Sequence, residues 1–244
     1  MSNAIRDVSR SLVVQNNPSL PQTQVDVKAA EIILEGIGFA PIKLQNVALT
    51  VDITRKGTGG LDIGDPEPGK WYYIWIIARS LPSGIGLLSL SSDNPTMPNG
   101  CSYKALVGAV FNNSNGFNQF VQIGLTVATI SSCVLNRGPA SVSASSGSQF
   151  QRIDCSIALP EKAVKAIGDF TLDPIAGQTG YGEGWLSSKT APLGTIGVRG
   201  LTAPQGLKVP YCVPVAESQT LYYGSAPNTN VASVSVDISG FEFA

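Results

Sequence analysis

The chain has 244 residues, a formal net charge of -1, 43% hydrophobic residues and only 14% charged ones. That balance excludes a disordered chain, because the apolar residues are too many and come in patterned runs. No dense Lys/Arg cluster is present to hold nucleic acid or an anionic membrane, and with no histidine the commonest general base and metal ligand are both missing.

Residues 1–24 are polar and turn-prone, ending in Asn16-Asn17-Pro18-Ser19-Leu20-Pro21. Two prolines and two asparagines argue against a helix there, so the segment reads as an extended arm, either frayed or laid on a neighbouring subunit. The first 17 residues contain Arg6, Asp7 and Arg10 and lack the apolar core, about 7 to 15 residues long, of a secretory signal. From Val25 onward strand signals are nearly continuous. Val47, Leu49, Val51 and Ile53 alternate with Ala48, Thr50 and Asp52, the period of a half-buried strand.

The apolar run Trp71-Tyr72-Tyr73-Ile74-Trp75-Ile76-Ile77-Ala78 dominates the chain. Uncharged, rich in aromatic and β-branched residues and flanked by turn formers, it reads as a strand covered on both faces. It is too short to cross a bilayer, which needs about 20 apolar residues. The runs Ile85 to Leu90, Ala105 to Phe111 and Phe117 to Val127 follow at close spacing and complete a central sheet. Ser141 to Ser148 forms a low-complexity loop. Strand alternation returns at Ile153, Cys155, Ile157 and Leu159, and again at Val234, Val236 and Ile238. Pro160 to Ile167 is the one place where a short helix could start. Short strands with frequent turn signals predict an all-β chain: an antiparallel β-sandwich of jelly-roll or Greek-key type, with residues 25–244 as a single domain behind the arm.

Cys101, Cys133, Cys155 and Cys212 are separated by 32, 22 and 57 positions. No CxxC pair exists, which excludes zinc-ribbon and thioredoxin readings. Cys155 falls on the core face of its alternating strand, as a small hydrophobe. Scattered thiols in a chain of this length read as free cysteines made in a reducing cytoplasm; two disulfides in any of three pairings are the alternative.

Each candidate for chemistry fails on mechanism. Gly64-Asp65-Pro66-Glu67-Pro68-Gly69-Lys70 has the GxxxxGK spacing of a phosphate loop, but Trp71 stands where a magnesium-holding hydroxyl belongs. Its two prolines delete N–H donors, its carboxylates repel phosphate, and a strand follows instead of a helix. Asp62, Asp65 and Glu67 lack the spacing of a calcium loop and read as a solvated turn. Without histidine no Ser/His/Asp triad can form, and no GxSxG elbow occurs. No pair of carboxylates is singled out for glycoside hydrolysis. The expectation is a protein without enzymatic activity and without metal or other cofactor. Tyr181, Trp185, Tyr222 and Tyr223 lie among glycines and serines, where aromatics either fill a sandwich core or meet a sugar or a protein partner.

The order Gly60-Leu61-Asp62-Ile63-Gly64, Trp71 to Ala78, Leu88-Ser89-Leu90-Ser91, Asn94-Pro95-Thr96-Met97-Pro98-Asn99-Gly100, Leu106-Val107-Gly108-Ala109-Val110 and Phe120-Val121-Gln122 resembles a recurring segment of tailed-bacteriophage structural proteins. Similar segments occur in tail-fibre, head-fibre and decoration-type proteins. The likeness covers about a quarter of the chain. It departs after Gly100, where an aromatic is expected directly, and at Lys104-Ala105, where an arginine-bearing start of a strand is expected. It implies a virion β-domain assembled in the host cytoplasm, carried as a homo-oligomer (a homotrimer above all). Its partners would be itself and the capsid or tail, with residues 1–24 as the candidate anchor. The resemblance carries no catalytic residues. The competing expectation is a host-receptor module of the phage tail that binds a surface glycan through Tyr181, Trp185, Tyr222 and Tyr223. A cellular lectin-like or adhesion domain is the third reading, disfavoured by the lack of an export signal.

Overall fold

The structure, a computed structural model, describes residues 9–36, 38–137, 150–175, 180–190, 195–202, 206–226 and 230–243. These contain 17 strands and no helix, and hydrogen bonding collects the strands into antiparallel sheets of 13 and four members, neither closed into a barrel. The all-β sandwich expectation holds. Contacts divide the chain into two compact units, Met1–Ser131 with Phe243–Ala244, and Ser132–Glu242.

The first unit holds β1 (Ser9–Arg10), β2 (Val13–Asn16), β3 (Gln24–Gly36), β4 (Ile42–Asp52), β5 (Lys70–Ala78), β6 (Ile85–Ser89), β7 (Tyr103–Asn113), β8 (Gly116–Phe117), β9 (Phe120–Ile123) and the start of β10 (Thr126–Arg137). One layer runs β10-β9-β2-β3-β4 and the other β7-β5-β6, with β8 paired to β7. In β5 every side chain from Tyr72 to Ala78 is buried, because the strand is hydrogen-bonded on both edges and covered on both faces. Its length and lack of charge follow from that position.

β3 pairs into both layers, and β3 and β4 change their buried face together along their length. Val25, Val27 and Ala29 are buried, then Ile32 and Leu34; opposite them Val51 and Val47 are buried, then Leu44. The change of face falls between the Ala29–Val47 and Glu31–Gln45 pairs, where Asn46 takes a φ of 52°. One left-handed residue breaks the period of two and turns the following side chains over. Asparagine tolerates that conformation better than most residues. Past the switch, Glu35 and Gly36 of β3 pair with Lys104 and Tyr103 of β7, so β3 ties one layer to the other.

Within the expected arm, residues 9–10 and 13–16 are strands built into the sheet, and residues 18–23 bend through a turn in which Thr23 and Gln24 N–H groups meet Leu20 O. β1 pairs with β3, β2 lies between β3 and β9, and Leu12 and Val14 are buried. Residues 1–8 lie outside the described residues.

The second unit holds the rest of β10 and β11 (Gln151–Asp154), β12 (Ala163–Asp173), β13 (Gly180–Ser187), β14 (Ile196–Thr202), β15 (Leu207–Pro214), β16 (Thr220–Ser225) and β17 (Ser233–Phe243). The order β15-β12-β17-β10 gives one sheet and β11-β16-β13-β14 the other. Their inner faces close a core in which Leu172 of β12 reaches Gly184 of β13; a Cβ at residue 184 would stand 2.7 Å from Leu172 Cδ2.

Two expectations are corrected here. The strand predicted to run from Ile153 to Leu159 ends at Asp154, and Cys155–Leu159 form a turn closed by N–H groups of Ala158 and Leu159 on the Cys155 carbonyl (2.9 and 2.8 Å). Cys155 is buried as expected, but Ile157 is 53% exposed. Pro160 to Ile167 forms no helix: a turn in which Ala163 N–H meets Pro160 O leads directly into β12. Two turns of helix are too few to outweigh the edge that β12 offers both β15 and β17. Cys101, Cys155 and Cys212 are free thiols, the first two buried and the third exposed. The side chain of Cys133 and the loop Ser141 to Ser148 lie outside the described residues.

Candidate functional site

The four aromatics singled out by the sequence fall on the four-stranded sheet of the second unit, on both of its faces. Cross-strand pairing puts Trp185 opposite Gly224 on one side and Gly197 on the other, and Tyr222 opposite Arg152 and Ser187. Side chains directly opposite share a face, so Tyr181, Trp185 and Tyr222 belong to the outer face. Tyr223, paired with Leu186, faces the core.

Two glycines beside Trp185 leave room for the indole to lie down: a Cβ at residue 197 would approach its Cδ1 to 3.1 Å. Phe150 stacks on the indole with ring centroids 6.3 Å apart and planes 20° from parallel, and Tyr222 completes the cluster. Tyr222 is buried, and its hydroxyl donates to Glu217 Oε2 at 2.6 Å. That bond to a carboxylate, with some loss of solvent, pushes the phenol above its ordinary value, against the pull of Arg152. Tyr223 is buried too and donates to Gln151 Oε1 at 3.0 Å.

Tyr181 is the open member of the set. It is 37% exposed, and the Arg199 guanidinium lies 4.9 Å from its ring centroid. Arg199 Nε also stands 3.9 Å from Glu183 Oε2. The outer face is thus a half-buried indole and an exposed phenol with charged side chains of both signs around them, an arrangement suited to contact. Phe150, Glu183, Arg199 and Glu217 were not singled out by sequence. The period-2 pattern of β13 links Glu183 to Tyr181 and Trp185, but the other three come from separate segments.

The phosphate-loop look-alike turns its donors inward. Glu67 N–H donates to the Tyr72 hydroxyl at 2.7 Å and Gly69 N–H to Asn112 O at 2.6 Å, while Asn112 Nδ2 holds Glu67 O at 2.8 Å. Burial pushes the Tyr72 phenol above its ordinary value. Asp62 accepts N–H groups of Ile63 and Thr96, both at 2.8 Å, and Asp65 pairs with Lys56 at 2.7 Å. These carboxylates are tied to separate partners, and among the described residues no group of three or more Cys, Asp or Glu is placed to hold a metal.

The stretch from Gly60 to Gln122 forms one braced body. Leu88 N–H meets Gly60 O and Asp62 N–H meets Leu88 O, both at 2.8 Å. Trp75 Nε1 donates to Ser91 O at 3.1 Å, and Ser91 Oγ accepts the Asn94 N–H at 2.9 Å. Lys104 Nζ donates to Asp93 O at 2.7 Å and lies 5.2 Å from the Trp75 ring centroid. It supplies a cation where the resemblance led us to expect arginine.

A groove of about 340 Å³ lies at the β7–β8 hairpin, with the carboxamides of Gln22, Asn113, Asn115, Asn118 and Gln119 around it and no ionisable side chain. Gly116, at a φ of 102°, allows the hairpin to close on Gln22, whose carbonyl would stand 2.5 Å from a Cβ there. Compared with protein-family models, with curated proteins and with solved structures, the chain matches none.

Proposed function

We propose that this protein is a non-enzymatic structural component of a tailed-phage particle: a fibre, knob or decoration protein acting through contacts between its own copies and with capsid or tail proteins. Three-fold assembly is part of the proposal and comes from the resemblance. The observation that carries the reading is how the motif residues are used. Asp62, Trp75, Ser91, Asn94 and Lys104 engage one another or nearby backbone, as parts of a rigid scaffold do. Residues 1–24 stay the candidate anchor in this proposal, with β2 inside them paired as an interior strand of its layer. Labelling purified particles with a gold-tagged antibody fragment tests the reading. Label over the head assigns a decoration or head-fibre role, label at the tail a fibre role, and particles without label overturn the proposal.

The second reading, a glycan-binding module of the tail, is favoured by the exposed Tyr181 and half-buried Trp185 and by the uncharged carboxamide groove. Sugars stack on aromatic faces and pair their hydroxyls with side-chain amides. A glycan array with no signal at concentrations where weak lectins respond removes it.

A further inference from the structure

The outer face of the β10-β9-β2-β3-β4 layer carries very little charge. Register puts Ile123, Val13 and Lys28 in one row across the strands and Val121, Gln15 and Asp26 in the next, flanked by threonine and alanine on β10 and β4. The open face of an antiparallel sheet ordinarily alternates to polar residues. Here Ile123 is 68% exposed and Val121 is exposed beside it. The two charges on these rows, Asp26 and Lys28, have opposite sign and stand two residues apart on one strand. Among the described residues Lys28 forms no ion pair or hydrogen bond. Asp26 Oδ1 accepts Asn17 Nδ2 at 3.0 Å and the Thr50 hydroxyl at 2.7 Å, which leaves Oδ2 open.

We infer that this face pairs with the same face of a second copy, about a two-fold axis running across the strands. Such an axis exchanges the two rows. Lys28 of one copy then stands over Asp26 of the other, twice, and Ile123 meets Val121 across the axis. Two sheets packed this way lie about 10 Å apart with strands nearly aligned. Five strands at about 4.8 Å spacing and about five residues of rise give a projected face of about 400 Å² per copy. That is below the roughly 800 Å² per partner of a stable complex, so the pairing is weak and concentration-dependent. Many copies side by side on a particle would strengthen it by avidity. The contact is isologous and independent of any three-fold contact made elsewhere.

This pairing deepens the copy-to-copy part of the proposed function. It is read in solution without any particle, so its failure and that of the virion reading are separate results. Sedimentation equilibrium of the full chain, from about 1 µM to about 1 mM, covers the range of weak association. The expected result is a reversible doubling of mass, weakened roughly tenfold or more by Ile123→Lys with the circular dichroism unchanged. Lys28→Asp and Asp26→Lys should each fail to pair with themselves, while an equimolar mixture of the two pairs as a heterodimer, because their charges are again complementary. If Asp26→Lys does not fold, Ile123→Lys and Lys28→Asp decide. A mass that does not double over the range, or doubling undiminished in Ile123→Lys, overturns the proposal. So does a chain that stays unpaired in solution yet loses incorporation into particles through Ile123→Lys, since the face then serves a different partner.

Discussion

Gly168 on β12 stands where a Cβ would coincide with the carbonyl oxygen of Asp237 on the adjacent strand β17. A carbonyl inside a ladder has no room to retreat, so any side chain at residue 168 must push two strands apart. Gly168→Ala should lower the unfolding free energy by about 2–3 kcal/mol, as overpacking does. Gly64 provides the contrast: its φ is 82° but nothing lies within 4 Å of a Cβ there. Gly64→Ala should cost only the backbone conformation, about 1 kcal/mol. Urea denaturation of both variants measures the gap, and equal losses would refute the steric account.

The face switch at Asn46 is testable in the same way. Asn46 is exposed, so substitution there reads backbone conformation rather than packing. Asn46→Gly should be close to neutral, and Asn46→Val should cost about 1–2 kcal/mol because a β-branched residue resists the left-handed region. If valine is tolerated as well as glycine, the turnover of β3 and β4 has another cause.

Leu12 distinguishes a strand from a tail. It is buried beside β2, between chain segments that otherwise read as an arm. Leu12→Ala should destabilise the protein by about 2–5 kcal/mol, the range for a core leucine. An unchanged melting temperature would mean that Leu12 contributes nothing to the core.

The sequence made β5 legible because a strand buried on both faces carries no polar residue to confuse its period. It made β17 and the part of β4 after Asn46 legible because one buried face gives clean alternation. It misled at Ile157 because alternation continued for five residues, Cys155 to Leu159, after the ladder stopped at Asp154, and period alone does not mark where a partner strand ends. The pairing segment inside the arm is harder to read, for the opposite reason. Asn16, Asn17 and Pro18 signal a turn, and the short pairing segment before them, Val13–Asn16, is too brief to show a period. Of the aromatic set, composition located the sheet but not the face. Tyr222 and Tyr223 are adjacent, so they must point to opposite sides, and only the pairing of Tyr222 with Ser187 and of Tyr223 with Leu186 says which is outer.

Asp52 predicts a pH dependence. Burial alone would raise its carboxyl, but the Thr54 hydroxyl and N–H and the Gln24 amide, at 2.6, 2.9 and 2.8 Å, outweigh it with help from Arg55 and hold it below the usual 3.8. A depressed carboxyl stabilises the fold above its unfolded value, and that contribution disappears as pH falls through the folded value. The urea midpoint of the wild type should therefore drop more steeply below about pH 4 than that of Asp52→Asn, with the two curves parallel above about pH 6. Parallel curves throughout would mean that the carboxylate is not held by these bonds.

The last strand of its sheet, β15, is built against unwanted pairing. Val215 N–H donates to Val164 O at 2.8 Å, which sets the hydrogen-bonded pairs with β12 at odd positions of β15 and turns the backbone of residues 208, 210, 212 and 214 outward. Two of those four positions are Pro210 and Pro214, so half of the outward N–H donors are missing from an edge that would otherwise template another strand. Replacing both with valine restores the donors without charging the surface. The double variant should aggregate faster than wild type in a light-scattering assay held below the melting temperature, and Pro210→Lys with Pro214→Lys should not, because charge also blunts an edge. If the valine and lysine variants scatter alike, the prolines serve the fold of β15 rather than its isolation.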